Sequence, residues 1–271
     1  MPKRKRVVFF ISDRTGLTAE SFGSSLLSQF PETEFESIKH TFVDNVEQAK
    51  VSVVAINKAS EKNKVQSIVF STLVEPTIQK IIESADACVI NLFGAFIDPL
   101  EKSLNEKSAH TLGRSQDVIG KLGYEKRLDA IDYSLAHDDG VRPDQYDKAE
   151  IILVGVSRCG KTPTSLFLAM SHSINACNYP LTEDELDVDT LPEVLLKYRE
   201  KLIGLTIQPG RLSSIREKRR PNSKYASLQY CKNEIKIAEA MFQRAGIPFF
   251  DSTNISIEEL AASVMKSIGN Y

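Results

Sequence analysis

A chain of 271 residues, 42% hydrophobic and 26% charged, can bury the core of one large or two moderate domains, which excludes disordered and fibrous classes. Lys and Arg number 34 against 36 Asp and Glu, a formal charge of −2, so the chain as a whole lacks the positive footprint of a nucleic-acid binder. Cys88, Cys159, Cys177 and Cys231 are too scattered for a zinc site or disulfide framework, and no apolar run spans a membrane or resembles a signal peptide, so a cytoplasmic protein is expected.

Lys3, Arg4, Lys5 and Arg6 read either as an anion-seeking arm or as a solvated sheet end. Four residues fall short of the runs that carry nucleic-acid binding, which favours the second. Residues 7–11 form a β-rich run, followed by the polar turn Ser12-Asp13-Arg14-Thr15-Gly16 and a helix with Phe22, Leu26 and Phe30 on one face. Ser12, Arg14 and Thr15 stand where open α/β sheets bind ligands, as phosphate holders or as a plain helix cap. Strand-like runs at 35–43, 65–72 and 87–93 alternate with helical spacing at 47–58 and 75–84, which predicts a parallel sheet covered on both faces. Residues 1–104 are read as one α/β domain, and 105–149 as a linker plus a helix over 124–136 that leads to His137-Asp138-Asp139-Gly140. Gly140 suits a helix C-cap. Paired acids at the negative end of a helix call for a cation or for a hydroxyl needing a base, unless the turn is simply solvated.

Residues 150–271 hold the most informative stretch. The apolar run Ile151, Ile152, Leu153, Val154 reads as a buried strand. Gly155, Val156, Ser157, Arg158, Cys159, Gly160, Lys161 and Thr162 then satisfy G-x-x-x-x-G-K-[ST] ahead of an apolar-periodic helix. Glycines let the backbone wrap so that successive N–H groups face phosphate oxygens at a helix N-terminus. Lys161 would neutralise phosphoryl charge, and the Thr162 hydroxyl would hold Mg²⁺. Cys159 is either a redox brake or a small filler, and its exposure decides between them. No apolar run ending in Asp follows in the usual metal-binding place, so Asp138, Asp139 and Asp251 are the candidates to join Thr162 on the metal. Arg216, Arg219 and Arg220 would share a helix face, as a cationic lid over a phosphoryl donor or as a solvated face. Ser256 and Glu259 form a capping box opening a last helix.

The run SRCGKTPTSLFLAM from Ser157 to Met170, continuing through INACNYPL to Leu181, closely resembles the pyruvate, phosphate dikinase regulatory protein family. FFISDRTGLTAE (9–20), AIDYSLAHDDG (130–140), the segment 204–228 and DSTNISIEELA (251–261) are similar too, so the likeness covers nearly the whole chain. It implies a Rossmann-like N-terminal half, a P-loop kinase-like C-terminal half, and a bifunctional enzyme acting on a threonine of its target. ADP would be the phosphoryl donor, releasing AMP and inactivating the target. Inorganic phosphate would remove the phosphate, releasing pyrophosphate and restoring activity. Dikinase-directed members carry a lysine near Ala136, whereas this chain has Ala136-His137. That favours phosphoenolpyruvate synthase as protein substrate over pyruvate, phosphate dikinase. In this reading Asp138 or Asp139 takes the threonine proton or binds the metal. A small-molecule kinase and a non-catalytic nucleotide sensor remain alternatives, and a homodimer stays open because nothing in the sequence fixes the oligomeric state.

Overall fold

Strand β1 (Arg4–Ile11) explains why the N-terminal unit needs helices on both faces of its sheet. Val7, Phe9 and Ile11 pack on one side with Ala49, Ile56, Ile78 and Ile82, while Val8 and Phe10 pack on the other with Ala19, Leu27 and Leu92. Residues 7–11 are therefore all buried, as expected of a parallel strand covered twice. The computed structural model describes residues 4–109, 114–140, 143–188 and 190–269. The chain divides into two units, Met1–Gln116 and Asp117–Tyr271.

In the first unit, β2 (Thr33–His40), β3 (Ser67–Ser71) and β4 (Ala87–Asn91) join β1 in a four-stranded sheet of order β2-β1-β3-β4. All its pairings are parallel. Helices α1 (Leu17–Leu27), α2 (Val46–Asn63) and α3 (Pro76–Glu83) make the crossovers, and α4 (Leu92–Leu104) follows β4. Lys5 lies 3.8 Å from Glu34 and Arg6 donates to the Gln66 carbonyl at 2.9 Å, so both work within the sheet end. Lys3 lies outside the described residues.

Two expectations are refined by the structure. Helix α1 forms but ends at Leu27, short of Phe30; it turns Ala19, Gly23 and Leu27 inward and leaves Phe22 and Leu26 exposed, as is Phe30. The reason is closeness: a Cβ on Gly23 would come within 2.6 Å of Phe10 and 2.8 Å of Phe70, so small residues let the helix sit on the sheet. The run 87–93 is not all strand, because Asn91 caps α4 by accepting from the Gly94 amide at 2.9 Å.

The second unit repeats the sheet. Strands β5 (Ile151–Gly155), β6 (Ala176–Pro180), β7 (Leu202–Thr206) and β8 (Phe249–Asp251) run in the order β6-β5-β7-β8, again all parallel. Around them lie α5 (Arg114–Ala136), α6 (Lys161–His172), α7 (Glu183–Val188), α8 (Glu193–Leu196), α9 (Pro209–Arg219), α10 (Leu228–Ala245) and α11 (Ile257–Ser267). The protein is thus α/β, with two parallel four-stranded sheets and eleven α-helices among the described residues. Helix α5 begins ten residues before the expected 124, within the stretch read as a linker, of which 110–113 lie outside the described residues. Helix α11 has its capping box, with Leu260, Ala261, Val264 and Met265 buried.

In both sheets the chain leaves the first strand for one neighbour and later returns to the other side. Such a reversal marks the carboxyl ends of β1 and β3, and those of β5 and β7, as the places where open α/β sheets bind ligands.

Candidate active site

The loop 156–160 leaves β5 at its carboxyl end and enters α6 at Lys161. Two glycines make it possible for different reasons. Gly160 has φ 96°, a left-handed conformation that L side chains resist. Gly155 is needed for closeness, since a Cβ there would run into the Leu205 carbonyl oxygen and approach Cys159 Sγ at 2.8 Å. Backbone of the neighbouring strand cannot yield as a side chain can. Gly155→Ala is expected to lose about 1–3 kcal/mol through overpacking, read as a lower urea midpoint with an unchanged m-value.

The loop is pinned from behind. Arg216 Nη2 donates to the Ser157 carbonyl at 2.9 Å, Tyr225 Oη donates to Ser157 Oγ at 2.9 Å, and Ser252 Oγ donates to the Cys159 carbonyl at 2.8 Å. No side chain caps α6, so its first-turn amides are left for another acceptor. Lys161 is buried, and its Nζ donates to the Val156 carbonyl at 2.9 Å. An ammonium has three donors, so two have no partner among the described residues. Cys159 has 0% exposure, and burial pushes its thiol up. It therefore packs as a small apolar group and lacks the accessible thiolate a redox brake requires.

Opposite the loop stands the acidic turn. Helix α5 stops at Ala136, and Asp138–Gly140 form a separate 3-10 turn in which Asp139 has φ 53° and Gly140 φ 75°. Gly140 is thus a turn residue, four positions past the helix it was expected to cap. His137 is a packed core group whose Nδ1 donates to the Tyr133 carbonyl at 2.7 Å and whose ring stacks on Tyr133. Asp138 Oδ1 accepts from Thr162 Oγ1 at 2.9 Å and from Asn178 Nδ2. Asn178 Oδ1 accepts from the Asp139 amide at 3.1 Å. Fully buried on β6, Asn178 therefore clamps both acids at once, and the donors around Asp138 offset the repulsion expected at a helix end. Sequence reasoning missed Asn178 as a site residue; a polar residue inside an otherwise apolar strand was the available signal.

Ser157, Arg158, Gly160, Lys161, Thr162, Pro163 and Asp139 line one depression of about 250 Å³. Loop, ammonium, hydroxyl and carboxylate, which the sequence spreads over 24 residues, thus share a single hollow. Thr162 and Asp138 offer adjacent hard oxygens, and the described residues hold no group of three or more metal-ligating side chains. That donor set suits Mg²⁺, which keeps waters and takes phosphate oxygens to complete its shell.

Ser12, Arg14 and Thr15 belong to the N-terminal unit, where the Arg14 amide donates to Ser12 Oγ at 3.2 Å and Asp13 Oδ2 accepts from the Val74 amide at 3.0 Å. The three arginines of the lid expectation separate. Arg216 is fully buried against Glu234, whereas Arg219 and Arg220 are exposed at the end of α9. Arg216 is therefore a strut beneath the loop and not a mobile cation above it. Asp251 accepts from its own neighbour Thr253, through the amide at 2.8 Å and through the hydroxyl.

A family model described as kinase/pyrophosphorylase matches residues 8–265. The chain belongs to the kinase/pyrophosphorylase family. Relatives carrying the provisional name phosphoenolpyruvate synthase regulatory protein align over nearly their whole length. One from Legionella pneumophila (strain Corby) is 49% identical over 265 residues, covering 98% of each chain. One from Hahella chejuensis is 46% identical, covering 98% of this chain and 97% of its own. One from Bordetella avium is 47% identical, covering 97% and 96%. A solved LacI transcriptional regulator from Lactobacillus brevis aligns with 91% of this chain at 10% identity and a TM-score of 0.18, which carries no argument. No helix among the described residues is long and apolar enough to cross a membrane.

Proposed function

We propose that the chain is a bifunctional protein kinase and phosphorylase that regulates phosphoenolpyruvate synthase through one threonine of that enzyme. The observation that carries the reading is the meeting of Lys161, Thr162 and Asp139 in one hollow, with Asp138 bonded to the Thr162 hydroxyl, in a kinase/pyrophosphorylase chain whose relatives bear the name of that target. In the forward direction ADP lays its diphosphate along the amides of 157–162. The target threonine Oγ forms a bond to the β-phosphorus as the bond to the bridging oxygen breaks, and AMP departs with the electron pair. Asp139, exposed and free of side-chain partners among the described residues, takes the threonine proton; Asp138, held by Thr162 and Asn178, orients the Thr162 hydroxyl. Thr162 and Asp138 would hold Mg²⁺, which neutralises phosphoryl charge when bound. In reverse, an oxygen of inorganic phosphate attacks the phosphothreonine phosphorus. Pyrophosphate forms, and the threonine oxygen regains its proton from Asp139. Charge in such a transition state spreads over phosphoryl oxygens, so positioning and fixed donors supply most of the rate.

The test is incubation with phosphoenolpyruvate synthase and [β-³²P]ADP. Label is expected on a target threonine together with AMP, and adding phosphate to the washed product should release labelled pyrophosphate. A target left unlabelled by [β-³²P]ADP, or labelled only by [γ-³²P]ATP, would sink the proposal.

A further inference from the structure

Seven described non-glycine residues have positive φ. Lys64, Asn105 and Ser173 among them terminate helices, where a left-handed residue is commonplace. Asp139 and Arg158, by contrast, both line the hollow of the candidate active site. Arg158 has φ 76°, a conformation glycine adopts freely and an L side chain resists. Strain kept in a tight loop is informative when the side chain that causes it has no structural task. Arg158 is exposed, and among the described residues no carboxylate lies within ion-pair distance of it. The other cations of the region are committed: Lys161 to the Val156 carbonyl, and Arg216 to Glu234 and the Ser157 carbonyl. Arg158 is thus the guanidinium left at the rim, beside Ser157, Thr162 and Asp139.

We propose that Arg158 is a catalytic residue whose guanidinium grips the terminal phosphoryl group of the bound nucleoside diphosphate, the group that is transferred. This rests on the nucleotide reading of the same site. A guanidinium presents paired donors that match two oxygens of one phosphoryl group, where a single ammonium offers a point charge. As the β-phosphorus passes from the bridging oxygen of AMP to the threonine oxygen, Arg158 gains and loses no proton. It holds the equatorial oxygens while charge redistributes between entering and leaving groups.

Two substitutions separate the side chain from the backbone. Arg158→Ala removes the guanidinium and keeps the strain; Arg158→Gly removes both. In the full chain, each variant is expected to bind AMP as the wild type does, to bind ADP about 10-fold more weakly, and to transfer label with kcat lowered about 10²–10³-fold. The glycine variant should melt about 2–4 °C above the alanine variant. Calorimetric titration with ADP and with AMP, the [β-³²P]ADP assay and thermal melts provide the readouts. Wild-type kcat and ADP affinity in either variant would overturn the assignment, as would activity lost in Arg158→Ala but recovered in Arg158→Gly. A wild type that binds neither ADP nor AMP would instead bring down the nucleotide reading itself, and this assignment with it.

Discussion

Replacing Lys161 with methionine is expected, under the proposed reaction, to lower transfer of the β-phosphoryl group to the target threonine by about 10²–10³-fold, while the protein stays folded. The methionine keeps most of the buried stem and removes the charge. The folded-state loss is one hydrogen bond, from Nζ to the Val156 carbonyl at 2.9 Å, which contributes about 0.5–1.5 kcal/mol in a typical case. The loss in rate is larger because two donors of the buried ammonium have no partner among the described residues. Charge developing on the phosphoryl oxygens is met by a group that needs no reorganisation. Lys161→Arg is expected to rescue little, since the planar fork does not fit a space shaped around one ammonium. The checks are initial rates of label transfer at saturating ADP, alongside melting curves of the three proteins. A Lys161→Met enzyme with wild-type kcat would remove the ammonium from the chemistry.

How much of this was legible in the sequence depends on the range of the interactions involved. Residues 151–162 announced themselves locally: an uninterrupted apolar strand, two glycines at fixed spacing and a lysine-threonine pair are short-range facts. The structure gives each glycine its reason, conformation at Gly160 and closeness at Gly155. The acidic turn was visible as an oddity, two carboxylates where a helix dipole disfavours them, yet its solution was not. Asn178 lies 40 residues from Asp138, and only the pairing of β6 beside β5 brings it there. Helix α1 shows the opposite limit. Its large apolar residues could be grouped on a face but not oriented, and Ala19 and Gly23 take the inward place because the sheet beneath is crowded with Phe10 and Phe70. Arg216 could not be told from Arg219 and Arg220 by spacing, because what separates them is Glu234, eighteen residues further along.

Arg216→Ala is expected to destabilise the C-terminal unit by about 3–5 kcal/mol, the range for leaving one member of a buried ion pair without its partner. Arg216 has 0% exposure and holds three elements together: Nη1 binds the Glu234 carboxylate on α10 and the Tyr225 carbonyl at 3.1 Å, and Nη2 binds the Ser157 carbonyl in the loop 156–160. Its guanidinium also lies 4.0 Å over the Tyr225 ring. Burial pushes the Glu234 carboxyl up against the downward pull of Arg216. Without that pull the folded-state value rises further above the unfolded one. A carboxyl raised in this way favours folding below its unfolded pKa and opposes it as pH climbs through the folded value. The deficit of Arg216→Ala relative to wild type should therefore shrink as pH falls toward the ordinary carboxyl range and grow toward neutrality. Arg216→Ala combined with Glu234→Gln should recover part of the loss at neutral pH, because no buried charge is then stranded. Urea unfolding of wild type, both single variants and the double at two pH values measures all of this. A deficit independent of pH, with no recovery in the double variant, would mean that lost packing on Tyr225 and the loop, and not a stranded carboxylate, sets the size of the effect.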